Sequence, residues 1–463
     1  MTTVRVVSPA DGAVVAEYPL ATDAEVEAAV AAAQRAQAEW RRVPLAERRR
    51  LVEAFVDAML AMREEIVPEL ARCMGRPVAV GGGELGGFEE RARTMIRLAE
   101  EALAPVVPSP RPGFTRYVRR EPLGVVLVVA PWNYPYLTAV NAVVPALLAG
   151  NAVILKHATQ TLPVGERFRI AMERAGAPPG LFHHLILSHG QVERLLADRR
   201  VDHLVFTGSV EGGRHLGTLA ARSLLGANLE LGGKDPAYVR PDVDLDFAAE
   251  QLVDGAFFNS GQSCCAIERI YVHREVFDPF LARFLERVRR YVLGDPLDPA
   301  TTLGPMVSRQ AADRVRAQIR EAVAMGARTL VDPAEFPADT GDSAYLAPQV
   351  LVDVDHRMAI MREETFGPAV GIAPVADDEE AVRLMNDSRY GLTAALFTRD
   401  VAVAEALGDR LETGTVFLNR CDYLDPELAW TGVKDSGRGA SLSRIGYEQL
   451  TRPKSFHLRH HPE

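Results

Sequence analysis

The chain has 463 residues, 48% of them hydrophobic and 25% charged, which allows two or three domains with large buried cores and excludes a disordered chain. A net charge of −10 gives the chain as a whole no electrostatic footprint for nucleic acid. No run reaches the roughly 18 apolar residues of a membrane span, and no basic flank leading into an apolar run marks a signal peptide.

In chain order, Thr22-Asp23-Ala24-Glu25 has the form of a capping box that opens a helix to about Trp40. Pro44 suits the first turn of a second helix, with Leu51, Phe55, Met59 and Met62 on one face. The first 100 residues read as helical. Gly81-Gly82-Gly83 with Gly86-Gly87 is glycine-rich enough to hold phosphate, but no strand precedes it, so it reads as a linker between helices.

From about residue 113 the pattern changes. Apolar runs at 125–130, 152–155, 185–187 and 204–206 alternate with helical stretches at 162–175 and 191–198. Buried strands separated by helices predict a parallel sheet with crossover helices. A second α/β series follows Gly232-Gly233, with runs at 270–272 and 369–372 and helices near 277–291 and 309–325. Glycine, proline and aspartate mark loops at 294–296 and 332–342. The reading is two α/β domains and a small strand element near 113–129 that the C-terminal tail can join.

The four cysteines, Cys73, Cys264, Cys265 and Cys421, form no C-x-x-C pair, and no H-E-x-x-H occurs. No structural metal or disulfide framework is expected, and free thiols suit a reducing cytosol. Only four lysines (Lys156, Lys234, Lys434 and Lys454) stand against 48 arginines. That bias suggests lysine was kept where a compact ammonium is needed, with chance retention as the alternative.

Four segments carry chemistry, each with a plainer reading beside it. Gly261-Gln262-Ser263-Cys264-Cys265 places a cysteine in a Gly-led loop after an apolar helix, as for a positioned nucleophile; alone, a buried structural cysteine is the readier reading. Leu229-Glu230-Leu231-Gly232-Gly233-Lys234 puts a carboxylate at an apolar strand end, where burial makes it a general base, or an arginine partner makes it structural. Pro131-Trp132-Asn133-Tyr134-Pro135 follows a strand, so the Asn133 amide is either an oxyanion donor or a turn former. Phe206-Thr207-Gly208-Ser209 leads into a helix, as a pyrophosphate turn would, although short Gly turns are common.

In order, these segments resemble the aldehyde dehydrogenase family. The match continues through Ala149-Gly150-Asn151 with Lys156, Gly294-Asp295-Pro296, Glu363-Glu364-Thr365-Phe366-Gly367-Pro368 and Lys434-Asp435-Ser436-Gly437-Arg438, and covers nearly the whole chain. The resemblance implies an α/β fold with a Rossmann-like cofactor domain (1–112 and 130–232), an α/β catalytic domain (233–446) and a small β oligomerisation arm (113–129 and 447–463). It implies Cys264 as nucleophile, Glu230 as the base for deacylation, and Asn133 with the Cys264 backbone N–H as oxyanion hole. NAD or NADP is the implied cofactor. Lys156 would hold the adenosine ribose, Gly208 and Ser209 the pyrophosphate, with Gly213 in the following helix. Glu364 would hold the nicotinamide ribose, with Phe366 beside it; Trp132 and Leu231 complete that set.

Oxidation of an aldehyde to a carboxylate in a cytoplasmic homodimer or homotetramer is the expected activity, with no nucleic-acid or membrane partner. The alternatives are a CoA-acylating or reductive relative, against which Glu230 argues, and a non-enzymatic protein on this fold. Many members carry a lysine after the asparagine motif and a glutamate after the C-terminal Ser-Gly motif; here Ala142 and Ser441 stand there, leaving the proton route open. Where NAD-preferring relatives often carry a glutamate this chain has Thr159, so NADP should be accepted at least comparably. The tunnel is expected from Tyr134, Thr138, Asn141, Phe258, Leu424 and Trp430, mostly apolar, with Arg420 and Asp422 nearby. The two arginines of succinate-semialdehyde members would fall at Asn141 and Phe258, so neutral medium-chain or aromatic aldehydes are expected to be preferred.

Overall fold

The computed structural model describes residues 2–461. Thr22 and Glu25 form the capping box, and the helix runs Asp23–Trp40. The second helix, Leu45–Leu60, follows Pro44 and buries Phe55 and Met59. Met62 is also buried, but it lies in the turn beyond that helix. The N-terminus is not purely helical: Thr3–Val7 and Val14–Pro19 pair as an antiparallel hairpin.

The glycine cluster is not a linker. All five glycines lie inside one helix, Val78–Ala102. Each costs about 1 kcal/mol of helix propensity relative to alanine, but burial of Leu85, Phe88, Ala92, Met95 and Ile96 overrides that local preference. The glycines also permit close approach. A Cβ on Gly81 would stand 3.1 Å from Val67, and one on Gly87 would stand 2.7 Å from Leu137.

The first parallel sheet has six strands in the order Gly437–Arg438, Gly226–Glu230, His203–Thr207, Val125–Ala130, Ala152–His157, Phe182–His184. All neighbours are parallel except the Gly437–Arg438 edge. The run at 185–187 is not a strand. The ladder ends at His184, and the Ile186 carbonyl instead accepts from the Ala21 N–H at 3.0 Å. The chain enters this sheet at Val125–Ala130, adds two strands on one side, then crosses to His203–Thr207 on the other. The order reverses between those two strands, and ligands bind beyond the carboxyl ends of strands at such a switch point.

The second sheet has seven strands: Arg328–Thr329, Gln349–Val352, Ala369–Val375, Ile267–His273, Asp235–Val239, Thr393–Phe397, Thr415–Leu418. Helices Leu245–Phe257 and Phe277–Val288 pack on one face and Arg309–Ala324 on the other, with two apolar cores between. A separate two-stranded ribbon pairs Phe114–Pro122 with Thr451–Arg459. The ribbon ends at Pro122; residues 125–129, expected in the arm, are a central strand of the first sheet because all of their side chains are buried there. Residues 462 and 463 of the expected arm lie outside the described residues. Among the described residues, no helix is long and apolar enough to cross a membrane.

Candidate active site

Two cavities, of about 360 Å³ and 350 Å³, share three wall residues: Thr207, Glu230 and Cys264. A thiol and a carboxylate therefore stand where two chambers meet.

Cys264 lies in the loop between helix Leu245–Phe257 and strand Ile267–His273. That loop leaves the helix through three consecutive left-handed residues, Asn259 (φ 53°), Ser260 (φ 57°) and Gly261 (φ 67°). Non-glycine residues rarely adopt this conformation, and it survives where surrounding contacts over-determine it. Here the Asn259 amide donates to the Asn133 and Gln262 carbonyls at 3.2 Å, and Ser260 Oγ donates to the Gly304 carbonyl at 2.8 Å. A Cβ on Gly261 would stand 2.3 Å from the Gly367 carbonyl, and one on Gly233 would stand 2.3 Å from the Cys264 carbonyl. Both glycines are therefore steric requirements of the loop. On its other side, Asp422 Oδ1 accepts from Ser263 Oγ at 2.8 Å and from Cys265 Sγ at 3.0 Å, gripping both neighbours of Cys264. Burial pushes the Asp422 carboxyl up to about 6.

Glu230 ends strand Gly226–Glu230. Its Oε1 accepts from Ser441 Oγ, and its Oε2 accepts from Thr207 Oγ1 at 3.1 Å. Burial raises its pKa above the ordinary carboxylate value, opposed by those two hydrogen bonds and by the charge of Arg91. Beneath it lies a space of about 10 Å³ bounded by Glu230, Ser441, Ala142, Asn141 and Asn228, about the size of one water.

Asn133 is buried and lines the second chamber with Cys264. Its amide donates to the Gln262 carbonyl at 3.2 Å, leaving one N–H, and the Cys264 backbone N–H donates to no other described residue. The Asn133 carbonyl accepts from the buried Arg76, whose guanidinium also pairs with Glu84 and donates to Asn259 at 3.2 Å. One arginine thus ties the asparagine turn to the nucleophile loop.

The second chamber opens at the switch point of the six-stranded sheet. Trp132, Gly208, Ser209, Leu231, Glu364 and Phe366 line it, with the unforeseen Arg314 and Gln318 from helix Arg309–Ala324. Ser209 caps helix Val210–Arg222. Gly213 is not in the wall; a Cβ there would stand 2.3 Å from Leu231, so it lets the helix lie against the strand end. Lys156 and Thr159 also lie outside this wall, one strand further along the sheet. Lys156 is half-buried with no carboxylate in ion-pair range among the described residues, and burial lowers its pKa. Glu364 accepts from the Gly233 N–H at 3.0 Å; burial and the nearby Glu268 raise it to about 8. Lys234 serves structure: it is buried, and donates to Glu268 at 2.5 Å and Thr365 at 2.8 Å.

The sequence profile of the Aldehyde dehydrogenase family matches residues 1–456. The chain belongs to the aldehyde dehydrogenase family. Family membership makes it an NAD(P)-dependent oxidoreductase that acts on an aldehyde. It is 35% identical over 460 residues to a succinate-semialdehyde dehydrogenase [NADP(+)] 1 of Mycobacterium bovis, covering 98% of this chain and 99% of the relative. Its fold is similar to that of an NADP dependent enzyme of E. coli, with TM-score 0.95, 29% identity, and 99% and 95% of the two chains covered. It is also similar to betaine aldehyde dehydrogenase of Staphylococcus aureus in complex with NAD+, with TM-score 0.93, 29% identity, and 100% and 92% covered.

The switch-point chamber fits the family's dinucleotide. A glycine turn and a helix N-terminus supply backbone N–H groups for the diphosphate, and Arg314 has no ion-pair partner among the described residues. The first chamber is the one that the expected tunnel residues line. Tyr134, Thr138, Asn141, Phe258, Leu424 and Trp430 all line it. The expectation of few charges does not hold, because Arg76, Glu84, Glu90, Arg91, Asp254 and Asp422 line it too. The first four come from the N-terminal half and middle of helix Val78–Ala102 and its approach at Arg76, a segment whose glycine run concealed it. Their signal was the i, i+7 spacing of Glu84 and Arg91 on one helix face. Arg420, expected near the tunnel, does not line it but stacks on the wall residue Tyr423, with its guanidinium carbon 3.5 Å from the ring centre.

Proposed function

We propose that the chain oxidises its aldehyde to a carboxylate through a thioester on Cys264, which water activated by Glu230 then hydrolyses. The observation that carries this reading is the junction of the two chambers at Cys264, Glu230 and Thr207. The Cys264 thiolate attacks the aldehyde carbon from the first chamber, forming a C–S bond and a tetrahedral alkoxide. The Cys264 backbone N–H and the free Asn133 N–H stabilise that oxygen. The bound nicotinamide supplies the hydride acceptor from the second chamber. Re-formation of the C=O leaves a thioester. Glu230 then takes a proton from water as its oxygen attacks the thioester carbon, and the C–S bond breaks to return the thiolate. Ser441 holds Glu230 and borders the one-water space, which gives the proton a first stop where the Ala142 side chain offers none.

Thr159 in place of a carboxylate, and Lys156 with no anionic partner, support use of NADP at least comparably to NAD. The NADP(+) named for the mycobacterial relative agrees. The six-stranded sheet serves the cofactor, the seven-stranded sheet positions the nucleophile, and the ribbon Phe114–Pro122 with Thr451–Arg459 is the arm of a homodimer or homotetramer. A two-stranded ribbon is marginal alone, which supports pairing with another copy. The four cysteines are free, in keeping with a reducing cytoplasm.

The test is Glu230→Gln under single-turnover and steady-state conditions. A burst of about one reduced cofactor per active site should precede a stall, with the steady state lowered roughly 10²-fold or more. Loss of burst and steady state together would assign Glu230 to thiolate formation instead.

A further inference from the structure

We propose that Arg91, with the Asn141 amide beside it, anchors a distal carboxylate, so that the preferred substrate is an aldehyde bearing a carboxylate a few carbons from the carbonyl. This rests on the reading of Cys264 as nucleophile and deepens it to a substrate class. Arg91 stands on helix Val78–Ala102, is only 8% exposed, and lines the same chamber as Cys264. Its hydrogen bonds both leave from Nη1, to the Leu137 carbonyl at 2.9 Å and to Asn141 Oδ1 at 3.4 Å. No carboxylate lies within ion-pair distance of it among the described residues. Buried charges are otherwise paired, and the other arginine of this chamber, Arg76, is paired with Glu84.

All but one of the acids of the wall are committed elsewhere. Glu90 accepts from the Tyr423 hydroxyl, Asp422 from Ser263 and Cys265, and Glu230 from Ser441 and Thr207. Asn141 adds the second observation. It is 4% exposed, it lines the chamber, and its Nδ2 is buried without a hydrogen-bond partner. A guanidinium with no carboxylate in ion-pair range, feeling Glu84 and Glu230 only at longer distance, and an amide N–H lacking an acceptor thus belong to adjacent side chains that line one cavity. A carboxylate satisfies both, since it accepts from a guanidinium fork and an amide together. Asp254 is the one wall acid whose carboxylate has no hydrogen bond or ion pair among the described residues, and it is where a cationic aldehyde would bind instead.

The experiment compares kcat/KM for succinic semialdehyde, butanal and 4-aminobutanal, using the wild-type enzyme and the Arg91→Met, Arg91→Lys and Asp254→Asn variants. Wild type should favour succinic semialdehyde over butanal by tenfold or more. Arg91→Met should cut that ratio at least thirtyfold, mainly through KM, and Arg91→Lys should restore part of it. Asp254→Asn should leave succinic semialdehyde ahead of both other aldehydes. A ratio unchanged in Arg91→Met overturns the proposal. So does a wild-type preference for 4-aminobutanal that Asp254→Asn removes. Equal loss for all three aldehydes, with a displaced acid limb in kcat, would make Arg91 a positioning residue acting through Glu230. If Arg91→Met does not fold, the wild-type ranking and Arg91→Lys still decide. A wild type that oxidises none of the three at a Cys264-dependent rate would fail the reading of the site itself.

Discussion

The two chambers on either side of Cys264 are of nearly equal volume and are built on different principles. On the switch-point side, strand ends, the Gly208-Ser209 turn, a helix N-terminus and Gly232 bring backbone to the wall beside side chains such as Trp132 and Glu364. Short contiguous segments create those features, so they are legible as motifs. The aldehyde side is made of side chains from well-separated segments, among them helix Val78–Ala102, helix Pro135–Ala149, the nucleophile loop and residues 422–430. No single segment carries its chemistry. The difference teaches that binding a common dinucleotide can be written locally, whereas selecting an aldehyde is a property of the assembly.

The largest expected effect lies on the wall common to both chambers. Cys264→Ala should lower kcat to background, by about 10⁴-fold or more, whereas Cys265→Ala should keep activity within about tenfold. Steady-state cofactor reduction reads both. Activity that follows iodoacetamide labelling of Cys265 would move the nucleophile by one residue and break the comparison.

Next is Gly233→Ala, a change on the cofactor side that reaches across the junction. Its new Cβ would stand 2.3 Å from the Cys264 carbonyl and 2.9 Å from the Asp235 carboxylate. Displacing a nucleophile by about 1 Å costs about 10²-fold, and kcat should fall by that order while thermal melting reports an intact fold. A kcat within threefold of wild type would show that the loop relaxes freely.

Thr159→Glu tests whether the cofactor side reaches beyond the chamber at Gly208. A carboxylate there should lower the NADP/NAD ratio of kcat/KM by about tenfold or more through repulsion of a 2′-phosphate. An unchanged ratio would remove Thr159 from the site and leave cofactor choice to other groups.

The smallest effect is that of Ser441→Ala, which should slow thioester hydrolysis roughly fivefold, the worth of about one hydrogen bond. Its sign in pH is definite. The base must be ionised, burial already raises its pKa, and the Ser441 hydrogen bond opposes that rise. Removing the bond raises the pKa further, so the acid limb of kcat should move to higher pH, and activity should fail earlier as pH drops. A limb that stays or moves down would mean that Glu230 does not limit turnover.

Sequence alone determined the alternation of strands and helices, the capping box at Thr22 and Glu25, and the segments that hold Cys264, Glu230 and Asn133. Each depends on local periodicity or on a turn whose geometry only certain residues adopt. It misread the glycine run at 81–87, because propensity is local while the burial that overrides it comes from distant partners such as Val67 and Leu137. It extended the arm to 129, because an apolar run does not say which sheet will receive it. Tertiary structure alone decided that Asp422 grips Ser263 and Cys265, that Ser441 holds Glu230, and that Arg91 enters the aldehyde chamber beside Asn141. Buried charge is indifferent to sequence distance: what fixes a carboxylate or a guanidinium is the partner that folding brings within hydrogen-bond reach.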